Sequence, residues 1–284
     1  MKSLLPISKA WFATAAILDF LLFLQLFVFT GNTERFFAWT IAAPLSETFL
    51  GAAYGAGALL MALSWREIQW ENARIAVPSV LVFTLLTLAA TLLHLDKFHL
   101  GAPHAPTAIF FGWFWLMVYG VTPVVQALVL LRQAFQPGGP ASKRQPLPSG
   151  LGFYLEGQAI LLLLIGGALL LFPAFLLPWW PWALTPLTAR MVGAWLLGAG
   201  LILGHARLDG DRWRVRNGLI IYGLFGLLQL LALVRFAGDV QWQNPFSWLY
   251  GLLLLSALAV GVYGWRLAPT GKPVMPTLPI QPYL

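Results

Sequence analysis

Long apolar stretches, separated by short polar segments, follow one another along the chain. Eight of them are long enough to cross ~30 Å of hydrocarbon, which takes about 20 helical residues. Backbone amides in lipid must pair within their own segment, so runs of this length predict helices, and the alternating ten-residue segments of a membrane β-barrel are absent. The predicted spans are residues 10–30, 39–64, 75–95, 107–131, 151–177, 182–204, 217–235 and 246–265.

Composition also favours lipid as the solvent. Of the 284 residues, 59% are hydrophobic and only 10% are charged, whereas a soluble domain carries roughly a quarter charged residues. The net charge of +7 could suit nucleic acid, but no soluble module with clustered basic and aromatic residues is present. We therefore expect the lipid bilayer as a partner and no nucleic acid. Other membrane subunits, or further copies of the chain, are left open as partners.

The distribution of Lys and Arg predicts an orientation. Thirteen of the 17 Lys and Arg residues fall on one side of the predicted spans, and the other side holds Arg35, Lys97, Arg190 and Arg235. Cytoplasmic loops carry the excess of positive charge, so both termini are predicted to be cytoplasmic, in a plasma (inner) membrane. The first apolar run lacks a small-residue cleavage site, and we expect it to be an uncleaved first helix.

The two halves of the sequence match each other at a spacing of 142 residues. The matched pairs include Pro44 with Pro186, Gly51 with Gly193, Arg74 with Arg216 and Phe83 with Phe225, and residues 111–115 match 246–250 at a spacing of 135. Four helices are an even number, so the halves would share one orientation, related by a pseudo-twofold axis along the membrane normal. The predicted fold is an all-α polytopic membrane protein of eight transmembrane helices, arranged as two parallel-oriented four-helix repeats.

This organisation divides the chain into four parts. Residues 1–132 form the first repeat and residues 151–267 the second. Between them, residues 133–150 are a Pro/Gly-rich cytoplasmic linker, and residues 268–284 are a Pro-rich cytoplasmic tail. The bland alternative is that duplication built only a stable bundle.

Ionisable residues inside predicted spans are the first candidates for a functional site, because burying one costs several kcal/mol unless it is paired or hydrated. Asp19, Glu47 and Arg190 are predicted at similar depths. The functional hypothesis is a charged site between the halves for a polar substrate, an ion or a proton. The alternative is a structural ion pair between Glu47 and Arg190. Glu47 also suits the positive N-terminal end of a helix, whereas Arg190 has the wrong sign there.

An outer loop collects three of the four histidines with one aspartate. His94, Asp96, His99 and His104 offer imidazole and carboxylate ligands of the kind that zinc, copper or iron accept. Their spacing matches no established metal motif, so the sequence favours an ordinary interfacial loop, with a metal site as the weaker hypothesis. We expect no cofactor.

Other polar groups in the spans have a simpler explanation. Gln25, Gln126 and Gln229 are of the type that joins membrane helices by hydrogen bonds more often than it binds substrate. No cysteine is present, which excludes disulfides and thiolate catalysis, and no nucleotide-binding or hydrolase motif appears.

The sequence therefore favours a non-enzymatic, transporter-like or channel-like bundle. Its charged site would lie between two pseudo-symmetric halves, where parallel-repeat transporters place theirs. A non-catalytic integral subunit of a larger membrane complex is the first alternative. A membrane enzyme acting on lipid or quinone is the second.

Overall fold

The computed structural model describes residues 2–139 and 145–266. These ranges are helical, and eight of their helices are long and apolar enough to cross a membrane. The predicted tail at 268–284 and part of the predicted linker lie outside the described residues. The eight helices are α1 (Pro6–Val28), α2 (Pro44–Arg66), α3 (Ala76–Leu93), α4 (Pro106–Ala134), α5 (Ser149–Leu171), α6 (Pro186–Asp209), α7 (Arg212–Arg235) and α8 (Pro245–Arg266).

Proline marks the first residue of five helices, which are α1, α2, α4, α6 and α8. Its fixed φ suits the first helical position, and its missing N–H is not needed there. The residue before a proline is pushed out of the helical region, which explains why α2 begins at Pro44 and not at the predicted residue 39. Likewise α6 begins at Pro186, after Thr185, which caps it by accepting from the Thr188 amide.

The eight helices form an inner and an outer set. Within the most apolar stretch of each helix, 67% of the α2 residues, 61% of those of α6 and 56% of those of α7 are buried inside the protein. The share is 17% for α1 and 28% for each of α4, α5 and α8. Four outer helices therefore present their apolar side chains to lipid around an inner group of α2, α3, α6 and α7.

Two kinds of helix contact build this bundle. Within the N-terminal half (α1–α4), α1 packs on α2 and α3 on α4, and within the C-terminal half (α5–α8), α5 packs on α6 and α7 on α8. Between the halves, α2 packs on α7 and α3 packs on α6. The interface between the halves thus consists of the inner helices.

Polar side chains connect the halves at the end of the bundle that carries most of the Lys and Arg, named here the basic end. Arg74 pairs with Asp209 at 2.5 Å, and Asn217 donates to Glu67 at 3.2 Å. Asp211 caps α7 by accepting from the amides of Trp213 and Arg214. These contacts hold the loops after α2 and α6 against each other.

Candidate functional site

A cavity of about 510 Å³ lies inside the bundle. Its walls come from α1 to α4 and from α6 and α7, so both halves contribute. Most of the lining side chains are aliphatic or aromatic, and no Lys, Arg or His of the described ranges lines it. The cavity is large enough for a small organic molecule.

Asp19 is the ionisable side chain with a carboxyl group on this cavity. It lies near the middle of α1 and is one of the three charged residues singled out from the sequence. Its carboxyl has no hydrogen-bond or ion-pair partner among the described residues. On the neighbouring α2, a Cβ at Gly57 would lie 2.9 Å from Asp19 Oδ2, so the absence of a side chain there leaves room for the carboxyl.

Aromatic residues surround the position of Asp19. The hydroxyl groups of Tyr54 on α2 and Tyr119 on α4 are hydrogen-bonded at 2.5 Å. The ring of Trp195 on α6 meets that of Tyr54 edge to face at 4.9 Å and that of Phe83 at 4.0 Å. Tyr119, Trp195 and Phe83 line the cavity themselves, so one of its walls is aromatic.

Gln126 on α4 supplies an unused hydrogen-bond donor. Its side chain is fully buried, and its Oε1 accepts from Thr84 Oγ1 at 3.0 Å, which links α4 to α3. The Nε2 group has no partner, and the residue lines the cavity. An unpaired buried amide costs free energy that a bound hydrogen-bond acceptor would recover.

The other glutamines have the role predicted for them. Gln229 on α7 donates to the Phe49 carbonyl at 3.1 Å and accepts from Tyr250 at 3.1 Å, so it links α7 to α2 and α8. Gln25 donates to the carbonyl of Phe36. Gln126 is partly a helix contact and partly a cavity group, a combination that the sequence did not indicate.

Arg190 lies at a different place. It is in the second turn of α6, not eight residues into the helix as the sequence suggested, because α6 begins at Pro186. Its Nη1 is 2.8 Å from His94 Nε2, at the end of α3, and it does not line the cavity. Burial and the Arg190 guanidinium lower the pKa of His94 below its usual 6.5.

Glu47 is likewise apart from Asp19. It is in the first turn of α2, and its buried Oε2 accepts from the Gly31 amide at 3.0 Å. Arg235 is close enough to act on it electrostatically and donates to the carbonyl of Phe27. The ion pair between Glu47 and Arg190, suggested as a structural alternative, does not form within the described part of the chain.

The structure therefore does not bring the three charged residues together. Their equal depth was inferred from spans that included extended residues before Pro44 and Pro186. With the helix starts corrected, Glu47 and Arg190 are near helix ends, whereas Asp19 is near mid-helix. Asp19 alone of the three reaches the cavity.

The histidine loop separates into independent contacts. Asp96 pairs with Lys97 at 3.0 Å, and His94 contacts Arg190. His99 is buried, with Nδ1 2.9 Å from the Phe37 carbonyl and Nε2 3.0 Å from Thr40 Oγ1, and burial lowers its pKa. The His104 ring packs on it at 4.1 Å. Among the described residues no three His, Asp or Glu side chains meet as a metal site would require.

Sequence reasoning missed Tyr54, Tyr119, Trp195 and Gln126 as cavity residues. Aromatic and amide side chains are common in apolar spans, so nothing in their type marks them. A sequence signal does exist at the spacings of 142 and 135 residues, because their counterparts Leu196, Leu254 and Gly261 are not polar.

Comparisons of the chain with protein-family models, with curated proteins and with solved structures find no match.

Proposed function

We propose that this protein is a small transporter-like membrane protein that binds a small molecule in the cavity between its two halves. Asp19 supplies the charged group of the site. The observation that carries this proposal is an unpaired carboxyl on the wall of a cavity of about 510 Å³, built by helices from both halves. A charge kept unpaired inside a membrane bundle is costly, and ligand or ion binding is the usual reason to retain it.

We further propose that the halves are like-oriented repeats. The contacts between α2 and α7 and between α3 and α6 are the pair that a twofold axis would exchange. Aromatic clusters support the same relation. Phe37, Trp39 and Trp115 pack together in the N-terminal half with ring centroids 4.6–5.5 Å apart, and a corresponding set packs at 5.3–6.3 Å in the C-terminal half: Trp180, Trp182 and Tyr250.

Close packing at matched glycines is further support. A Cβ at Gly51 would lie 2.6 Å from the backbone nitrogen of Phe27 on α1. At its counterpart Gly193, a Cβ would lie 2.7 Å from the carbonyl oxygen of Gly166 and 3.0 Å from the nitrogen of Leu170, both on α5. The α1–α2 and α5–α6 pairs thus approach each other at corresponding positions.

The proposed orientation places the basic end in the cytoplasm of a cell with a plasma (inner) membrane, with both termini on that side. Arg190 and Glu47 then lie toward the outer end. We assign them to contacts that hold α6 to α3 and α2 to the segment after α1. The binding role rests on Asp19.

Cysteine labelling tests the proposed site, because the chain has no cysteine of its own. Thr84→Cys places a thiol on the cavity wall, and Leu164→Cys places one on the outer surface of α5, where Leu164 is 68% exposed. A transport site must meet water from at least one side. A sulfonated, membrane-impermeant thiol reagent applied to vesicles should therefore label Thr84→Cys and not Leu164→Cys.

The side from which the reagent acts also reports the direction in which the cavity opens. Equal, negligible labelling of both variants from both sides would mean that water does not reach the cavity. That result would reject the transport proposal in favour of a purely structural bundle.

A further inference from the structure

We infer that the ligand of this cavity is a lipophilic cation, an apolar molecule with one positive charge, and that it enters from the bilayer between α1 and α4. The inference rests on the proposed function, since it concerns the same cavity, and it names the chemical class of the ligand and its route.

The cavity wall selects against strongly polar ligands. Beyond Asp19 and the Tyr54–Tyr119 pair, the polar lining is limited to a few hydroxyl and amide groups: Thr14, Gln25, Ser79, Thr84, Thr122 and Gln126. Several of these already bond within the protein, including Thr84 and Gln25. A sugar or an amino acid would bury many polar groups without partners, at a cost of roughly 1–3 kcal/mol each. An apolar molecular body fits such a wall.

The single charge of the wall is negative and lacks a counter-charge. No basic residue of the described ranges lines the cavity, and Asp19 has no ion-pair partner there. A carboxylate in this position requires a proton or a cation beside it. A bound cation can take that place, whereas a bound anion would add a second negative charge.

The aromatic wall next to Asp19 is suited to a cation as well. At Gly57 a Cβ would lie 2.9 Å from Asp19 Oδ2 and 3.6 Å from the Trp195 ring, so the carboxyl and the indole meet at this glycine. Tyr54 and Tyr119 are within electrostatic reach of Asp19. Faces of Trp and Tyr attract cations, most strongly where water is excluded. A carboxylate with aromatic rings around it is the arrangement that recognises ammonium-type groups.

The route is indicated by which lining residues are exposed. Thr14 and Leu21 on α1, and Phe110 and Val121 on α4, line the cavity and are also exposed on the outer surface of the bundle. Both helices belong to the outer, lipid-facing set. A gap between them opens the cavity sideways toward lipid.

The two helices are joined only toward the basic end of this gap. There Gln133 near the end of α4 accepts from the Leu5 amide at 3.1 Å and the Ser8 hydroxyl at 3.3 Å. The sideways opening therefore lies nearer the middle of the bundle, at the depth of Asp19.

A matched pair of ions tests the inference. Tetraphenylphosphonium and tetraphenylborate share shape and apolar surface but have opposite charge. Equilibrium binding to the full-length protein in neutral-lipid nanodiscs, corrected with empty nanodiscs, should show saturable binding of the cation and none of the anion. Asp19→Asn should weaken cation binding roughly tenfold or more, because the amide keeps the shape but removes the charge.

Control variants separate this effect from general damage. Glu156→Gln removes an exposed carboxylate that pairs with Arg207 at 3.1 Å, and it should leave binding unchanged. Gly57→Ala should push the Asp19 carboxyl aside and weaken binding roughly threefold, since only the acceptor's position changes. Gly120→Ala on α4, where a Cβ has nothing within 4 Å, is its control.

Each outcome bears on the inference. Failure of the wild-type protein to bind tetraphenylphosphonium, equal binding of the borate, or unchanged cation binding in Asp19→Asn would each overturn it. If Thr84→Cys is nevertheless labelled from water, the proposed transport function stands with a different ligand. If labelling fails as well, both are rejected.

Discussion

The helix pairs α3–α4 and α7–α8 occupy corresponding places in the two halves but pack in different ways. In α7–α8 the backbones touch, since a Cβ at Gly223 would lie 2.4 Å from the Cα of Gly261. At the spacing of 135 residues, Gly261 corresponds to Gln126, whose side chain stands between α4 and α3 and lines the cavity. One pair is closed by glycine, and the other is held open around a cavity.

The same contrast holds for the residues around Asp19. The backbone bond from Leu4 to Ile68 corresponds to that from Leu147 to Gly210, and the spacing of Leu4 and Leu147 pairs Asp19 with Leu162. Thr84 corresponds to Gly226, and Tyr119 to Leu254. The C-terminal half folds without any of these polar groups. Their presence in the N-terminal half is therefore not a requirement of the bundle, which favours a role in binding.

The largest effect is expected where the closed pair is forced apart. Gly261→Leu places a branched side chain against the backbone of α7, and we expect destabilisation of about 3 kcal/mol or more, because neither helix backbone can give way locally. Unfolding of the purified protein in detergent, followed by circular dichroism, measures it. Gly251→Leu on the same helix is the control, because a Cβ there has nothing within 4 Å. Equal stability of the two variants would mean that α7 and α8 are not in backbone contact.

Exchanging the side chains of Asp19 and Leu162 tests the comparison directly. Leu162 is 2% exposed, and Leu162→Asp should cost about 3 kcal/mol, the price of an unpaired acid at a helix centre. Asp19→Leu should leave stability unchanged or raise it by about 1 kcal/mol, while abolishing binding in the cavity. Thermal unfolding of both variants gives the sign. A clear loss of stability in Asp19→Leu would show that Asp19 holds the fold together and would weaken its assignment as a site.

The two buried glutamines provide a smaller and sharper contrast. Gln229→Leu leaves the Phe49 carbonyl and the Tyr250 hydroxyl without their partner and should cost about 1 kcal/mol. Gln126→Leu loses one bond to Thr84 but also removes an unpaired amide, so its effect should be smaller than half of that. Parallel unfolding measurements decide the order. The reverse order would mean that Gln126 is mainly a structural link.

The smallest expected effect is a pH dependence at the outer end. His94 corresponds to Phe236 in the C-terminal half, so this titration has no counterpart there. Because the pKa of His94 is lowered on folding, the unfolded chain binds more protons, and stability should fall as the pH drops below about 6.5. His94→Gln should flatten the fall in unfolding free energy between pH 7.5 and 5.5 by less than about 1 kcal/mol. His99, whose pKa burial also lowers, keeps part of the slope in this variant. An unchanged slope would show that His94 stays exposed to water.

The class of fold could be predicted from the chain alone. The prediction of eight helical spans is confirmed, because long apolar runs in lipid have no other way to satisfy their backbone amides. Helix starts were predicted less well. Apolarity does not distinguish extended residues from helical ones before Pro44 and Pro186, although the prolines themselves mark the true starts.

The partners of the charged residues were decided by tertiary structure. Depth along a helix can be read from sequence, but which neighbour a side chain meets depends on the rotation of each helix about its own axis. That rotation turns Arg190 toward His94, Glu47 toward Gly31 and Asp19 toward the cavity. It is set by packing among all eight helices, so one-dimensional spacing identified the costly charges and only the folded bundle separated the one at the cavity from the two that hold segments together.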